Sequence, residues 1–323
     1  MKAMLGLIAA AALAAQAASA QTVKWDLPAG YPPGNFHSKN LVQFADDVKA
    51  ATGGKLEITV HSGASLFKVP EIKRAVQTGQ AQIGELLMSN MENEIAIAGI
   101  DTVPFLATSY ADAKKLWAAA RPAVSKVLDG QGMTVLYAVP WPPQGIYAKK
   151  DLNSIEDMKG LKFRAYNPAT SRIAELVGAQ PVTIQAAELA QALSTGVVNS
   201  FISSGSTGYD SKVWESLTHF YDTQAWLPHN VIFVNNGALK ALDEATRKAV
   251  IDAAARAEDR GRKASSDATG FYYKELAAKG MKIQPPGPAL AEGFKKIGAQ
   301  LTEEWIKKAG ADGKAIVDAY KKM

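Results

Sequence analysis

Cysteine is absent from all 323 residues. No disulfide can form, even in an oxidising compartment, and no thiol is available as nucleophile, metal ligand or lipid carrier. Histidine is scarce: His37, His61, His219 and His229 have no metal-ligand spacing, and no His-Glu-x-x-His occurs. No basic block breaks the mixed charges, and a net charge of +5 is mild over this length, so no nucleic-acid footprint is expected. No Gly-x-Ser-x-Gly elbow is present. The run Ser203-Ser204-Gly205-Ser206-Thr207-Gly208 lacks the lysine of a phosphate-binding loop and reads as a flexible turn. Carboxylates such as Glu85, Glu92 and Glu94 are numerous, but none marks a catalytic pair. The inventory therefore predicts no enzyme, no cofactor and no metal.

What is present begins with an export signal. Lys2 supplies a positive charge, Ala3 to Ala15 form an apolar run, and Ala18-Ser19-Ala20 matches a small-x-small cleavage pattern. The run is shorter than the roughly 20 residues that a spanning helix needs, so residues 1–20 read as a cleavable signal peptide. With no cysteine to carry a lipid anchor, an exported protein needs an outer membrane to retain it. A Gram-negative periplasm is the expected location.

The remaining chain exceeds the usual size of a single core and predicts two lobes. Val23 to Leu27, Leu56 to Val60 and Ile83 to Met88 read as strands. Between them lie a helix capped by Ser38, with Leu41, Phe44, Ala45 and Val48 on one face, and a second helix that starts at Pro70 and ends at Gly79. This β-α-β-α-β order predicts a parallel sheet. A similar alternation follows, with strands at Met133 to Val139, Gly145 to Lys149, Leu161 to Ala165, Val182 to Ile184, Val197 to Ile202 and Val231 to Asn235. From about Leu239 a helical stretch without proline runs toward Gly280, long enough to bridge two lobes.

Several motifs, taken in order, resemble one family. These are Asp157-Met158-Lys159-Gly160-Leu161-Lys162-Phe163-Arg164, Gly178-Ala179-Gln180-Pro181-Val182, Glu188-Leu189 and Ala192-Leu193-Ser194-Thr195-Gly196-Val197-Val198. With Gly79-Gln80-Ala81-Gln82-Ile83 and Val103-Pro104-Phe105, they are similar to the solute-binding proteins of TRAP transporters, dicarboxylate-binding type. The resemblance implies an α/β, two-lobed periplasmic-binding-protein-like fold, its lobes joined by crossing strands and a long bridging helix. Lobe I is expected over residues 21–145 with 236–275, and lobe II over 146–235 with 276–323. A monomer is expected, working with the small and large TRAP membrane subunits and hydrolysing nothing. A ligand sensor and a periplasmic enzyme on the same fold are the alternatives.

Arg164 is the leading site residue. It stands near the carboxyl end of a strand that precedes a helix, where open α/β sheets place their ligands. A guanidinium there meets a carboxylate with two parallel hydrogen bonds, and the resemblance assigns it that role. Gln144, Ser203 and Ser204 are further expected contacts. First-lobe positions that are polar in sugar-acid binders read Leu86, Leu87 and Met88, and Tyr31, Trp141, Tyr166, Trp226 and Phe233 add aromatic surface. One charge clamp among apolar walls predicts an aromatic or apolar monocarboxylate or 2-oxo/2-hydroxy acid, because a dicarboxylate or polyhydroxy acid would leave polar groups unpaired at about 1–3 kcal/mol each.

Overall fold

Alternation of strand and helix organises the computed structural model, which describes residues 22–323. The signal peptide read over residues 1–20 lies outside the described residues. Strand β1 (Val23–Pro28) pairs in parallel with β2 (Leu56–His61), and α1 (Phe36–Ala51) connects them. Helix α1 buries Leu41, Phe44, Ala45 and Val48, the stripe that its spacing predicts. Its cap is Asn35 rather than Ser38. The Asn35 side chain accepts from the His37 amide, while Ser38 sits inside the first turn and donates its hydroxyl to the Tyr31 carbonyl. The helix therefore starts directly after the Pro-Gly turn.

A 3-10 turn at Val69–Glu71 leads into α2 (Ile72–Gln77), and Gly79 closes it with φ +76°. Strand β3 (Ile83–Leu87) is buried along its whole length. Helix α3 (Tyr110–Gly130) and strand β4 (Met133–Pro140) complete the first pass through this unit. The chain then crosses to a second unit: β5 (Gln144–Ala148), β6 (Lys162–Ala165), α4 (Pro168–Leu176), β7 (Gln180–Thr183), α5 (Leu189–Ser194), β8 (Ser200–Ser204), α6 (Gly205–Asp210) and β9 (His219–Tyr221). Strand β10 (His229–Asn235) returns to the first unit. The Ser/Gly run at 203–208 is not a flexible turn. It is the end of β8 and the buried start of α6, with Ser204 as the cap that accepts from the Thr207 amide.

The expected parallel sheet stops at β1 and β2. Strand β3 is not laddered to them. It pairs antiparallel with β10, which pairs antiparallel with β4, in the order β3-β10-β4. A strand from far along the chain takes the place that local order assigns to a neighbour. The second sheet runs β11-β9-β5-β8-β6-β7, where β11 is Lys282–Gln284. The two crossings are tied to each other: Trp141 N donates to Pro228 O at 2.7 Å, and Gln144 N to Trp226 O at 3.0 Å. They lie at 141–144 and 225–228, just before the segments 145–149 and 231–235, which are sheet interior as β5 and β10.

A short α7 (Asn236–Ala241) precedes α8 (Glu244–Ala278), capped by Asp243. The 35 residues of α8 span about 50 Å at 1.5 Å each. The helix packs on α1 and β4 of the first unit and on α6 and β11 of the second, and so bridges them. It has no room to swell at Gly261, where a Cβ would come within 2.5 Å of Val139. Helix α9 (Pro288–Tyr320), broken at Gly310, starts against Ile155 of the second unit and ends against α3 of the first.

Candidate functional site

Strand β6 sits between β8 and β7, and its order of exposed Lys162 and buried Phe163 delivers Arg164 to the interior. Arg164 is 3 % exposed. Its Nε donates to the Ile184 carbonyl at 2.8 Å, and its guanidinium carbon stands 4.9 Å from the centre of the Tyr166 ring. Burial lowers the guanidinium to about 10, against the opposing influence of Tyr166 and Tyr31, so it stays charged at neutral pH. Among the described residues no carboxylate pairs with it. A buried cation without a counter-ion costs several kcal/mol, and only an arriving anion can offset that.

The guanidinium faces a cavity between the two units. Trp141, Gln144, Tyr166, Ser203 and Leu87 line it with Arg164, and so do Tyr31 and Leu86. Three expected contacts are elsewhere. Trp226 lies behind Tyr166, to whose hydroxyl its Nε1 donates at 3.1 Å. Ser204 spends its hydroxyl capping α6. Phe233 packs in the core on the α2 side of the three-stranded sheet, because strand alternation sends it to the face opposite Ile232. Met88 is likewise core.

Gln144 does not offer a free amide. Its Oε1 accepts from the Tyr166 hydroxyl at 3.2 Å and its Nε2 donates to the Pro142 carbonyl at 2.9 Å. Together with Trp226 it fixes the ring that supports Arg164. Replacing Tyr166 by phenylalanine leaves the Trp226 N–H and the Gln144 oxygen unpaired. A loss of about 1–3 kcal/mol of stability is expected in a thermal or denaturant melt.

The far wall holds what sequence reasoning missed. Glu85, on β3, is 1 % exposed and faces the same cavity. Among the described residues neither of its carboxyl oxygens has a hydrogen-bond partner. His37 Nδ1 is 3.6 Å from Oε1, and burial holds that imidazole neutral. The Asn230 amide lies beside Glu85, short of hydrogen-bond geometry, and its Nδ2 is also unpartnered. Asn230 Oδ1 accepts from Trp141 Nε1 at 2.8 Å. The signal was in the sequence: one charged residue inside Ile83-Gly84-Glu85-Leu86-Leu87, a strand with no solvent face.

The units also meet across the cavity. Asn35 Nδ2 donates to Ser206 Oγ at 3.2 Å and to Asp210 Oδ2 at 2.6 Å. Asn167 Nδ2 donates to Ser89 Oγ at 2.9 Å.

Two α/β units joined by paired crossings and a bridging helix, enclosing an unpaired guanidinium, define a solute-binding receptor. The chain belongs to the family described as bacterial extracellular solute-binding protein, family 7, which it matches over residues 30–308. Receptors of this family bind small organic acids and work with TRAP membrane components; they are not enzymes. Among solved structures, DctP6 of Bordetella pertussis, an extracytoplasmic solute receptor binding pyroglutamic acid, is 54 % identical. It superposes with a TM-score of 0.92 over 93 % of this chain and 100 % of that one. A TRAP solute-binding protein from a marine metagenome, specific for pyroglutamate, is 52 % identical, with a TM-score of 0.92 over 94 % and 100 % of the two chains. The outer membrane transporter protein TsaT of Comamonas testosteroni is 25 % identical over 98 % of this chain and 95 % of its own. Among the described residues no helix is long and apolar enough to cross a membrane.

Proposed function

We propose that this chain is a periplasmic TRAP receptor that captures pyroglutamate, or a cyclic monocarboxylate very like it, with Arg164 taking the carboxylate. The observation that carries this reading is the buried, charged and unpaired Arg164 guanidinium in a cavity between the units. The ligands of the two relatives above 50 % identity support the choice of acid. An aromatic body, favoured from the sequence, fits less well. Trp226 and Phe233 do not reach the cavity, and its first-unit side carries the buried carboxyl of Glu85. A small acid with a polar far edge matches those two poles.

The lobes expected over 21–145 with 236–275 and over 146–235 with 276–323 close on the ligand as bodies, except that β10 moves with lobe I, to whose β3 and β4 it is laddered; the crossings and α8 bend between them. The Asn35 and Asn167 contacts then hold the closed form. Ser89→Ala strips the partner from a buried amide only in that form and leaves the cap of α4 intact. About tenfold weaker binding by calorimetry is expected, from a cost of roughly 1–2 kcal/mol.

A thermal-shift series with pyroglutamate, succinate, glucuronate, benzoate and phenylpyruvate tests the ligand. Pyroglutamate should give the largest rise in Tm. A large rise with the aromatic acids and none with pyroglutamate would sink the assignment.

A further inference from the structure

Arg164 accounts for one end of the ligand, and the geometry of the other wall carries a second conclusion, which rests on the pyroglutamate reading. We infer that Glu85 reads the lactam edge as a neutral carboxylic acid, taking one proton from solvent as the ligand binds.

The chemistry follows from what a lactam presents. Its cis amide places an N–H donor and a C=O acceptor side by side. A carboxylate offers two acceptors and can meet only the N–H. A carboxylic acid offers an adjacent O–H and C=O, and closes both hydrogen bonds at once. Glu85 has the freedom to do so, since both of its oxygens are buried at the cavity wall without partners. A buried polar group left in that state destabilises the fold, and a two-point contact with the ligand removes that cost.

Charge balance sets the protonation. Arg164 and the ligand carboxylate cancel, so an ionised Glu85 would leave a net negative charge buried. The groups around it supply no compensation. His37 on α1 is held neutral by burial and by His229. Tyr137 on β4 lies in the same cross-strand row, both residues being registered on Ile232 of β10, and burial and Glu85 itself keep its phenol protonated. Tyr31, in the turn after β1, is a neutral phenol pushed up by burial and Glu85. Asn230 on β10 is an uncharged amide, and Arg164 on β6 is committed to the carboxylate. Burial alone lifts Glu85 to about 7, and an anion entering beside it lifts it further.

Calorimetry on the wild-type mature protein tests this without any variant. At pH 8, pyroglutamate titrated in phosphate and in Tris should give enthalpies that differ by nearly the full difference between the ionisation enthalpies of the two buffers, the mark of about one proton taken up. Affinity should fall about tenfold per pH unit above pH 7.5. The lactone isostere, 5-oxotetrahydrofuran-2-carboxylate, keeps the C=O but lacks the N–H and should bind roughly 10–100-fold more weakly. Glu85→Gln carries the same adjacent donor and acceptor without a titration. It should stay within about tenfold of wild type at pH 7 and lose both the pH slope and the buffer dependence. Pyroglutamate binding with no buffer difference and a flat pH profile overturns the inference alone, as does equal affinity for lactone and lactam. No pyroglutamate binding at any pH overturns the ligand assignment beneath it.

Discussion

Arg164→Ala yields a folded protein that no longer captures a carboxylate. The expected loss in calorimetry is between about a hundredfold and several thousandfold, from the 3–5 kcal/mol that truncating one partner of a buried ion pair costs. Most of that loss is the penalty of burying the ligand's carboxylate with no counter-charge, since among the described residues no other cationic side chain lines the cavity. Arg164→Lys restores the charge but not the planar fork, and should recover only part of the affinity. The free protein should be as stable as wild type or more so. The guanidinium is a buried charge with a single protein hydrogen bond, to the Ile184 carbonyl, and the alanine variant no longer buries it unpaired. Unchanged affinity for pyroglutamate in Arg164→Ala would show that the carboxylate lies elsewhere.

Glu85→Gln should raise the stability of the free protein at pH 8 and leave it unchanged at pH 4. The carboxyl of Glu85 stands at about 7 in the fold, against 4.5 for an unperturbed glutamate, and desolvation is the cause. A folded state that holds its proton more tightly than the unfolded chain loses stability as pH rises between those two values. The penalty is absent below 4.5, grows through the interval and is complete above 7. Its full size is on the order of 3 kcal/mol, at about 1.4 kcal/mol per pKa unit. Melts of the two proteins should therefore coincide at low pH and separate by several degrees at pH 8, with the variant higher. A variant that melts below wild type at pH 8 would mean that the carboxylate is stabilised in the fold. Both poles of the cavity thus trade stability of the empty protein for a place to hold ligand, the pattern expected of a functional site.

Much of the local structure was legible from the chain. The Leu41, Phe44, Ala45 and Val48 stripe and Gly79 at the end of α2 each encode their element within a few residues. Arg164 could be singled out because its position near a strand end is also local. Glu85 could not, although its surroundings were apolar. A buried carboxyl becomes a site only through what stands across from it, and Arg164 stands there by tertiary packing, not by sequence order. Trp226 and Phe233 failed for the same reason. Each is near the site along the chain, yet one is screened by Tyr166 and the other faces α2.

The amino-acid sequence by itself determined the alternation of strands and helices, the lack of any thiol chemistry and the one arginine to watch. Those properties depend on composition and on contacts between near neighbours. Only the tertiary structure decided that β10 enters between β3 and β4, that the crossings tie to each other at 141–144 and 225–228, and that Glu85 and Arg164, from different units, line one cavity. An apolar face specifies that it will be buried. The partner that buries it is chosen by the shape and pairing of the whole chain.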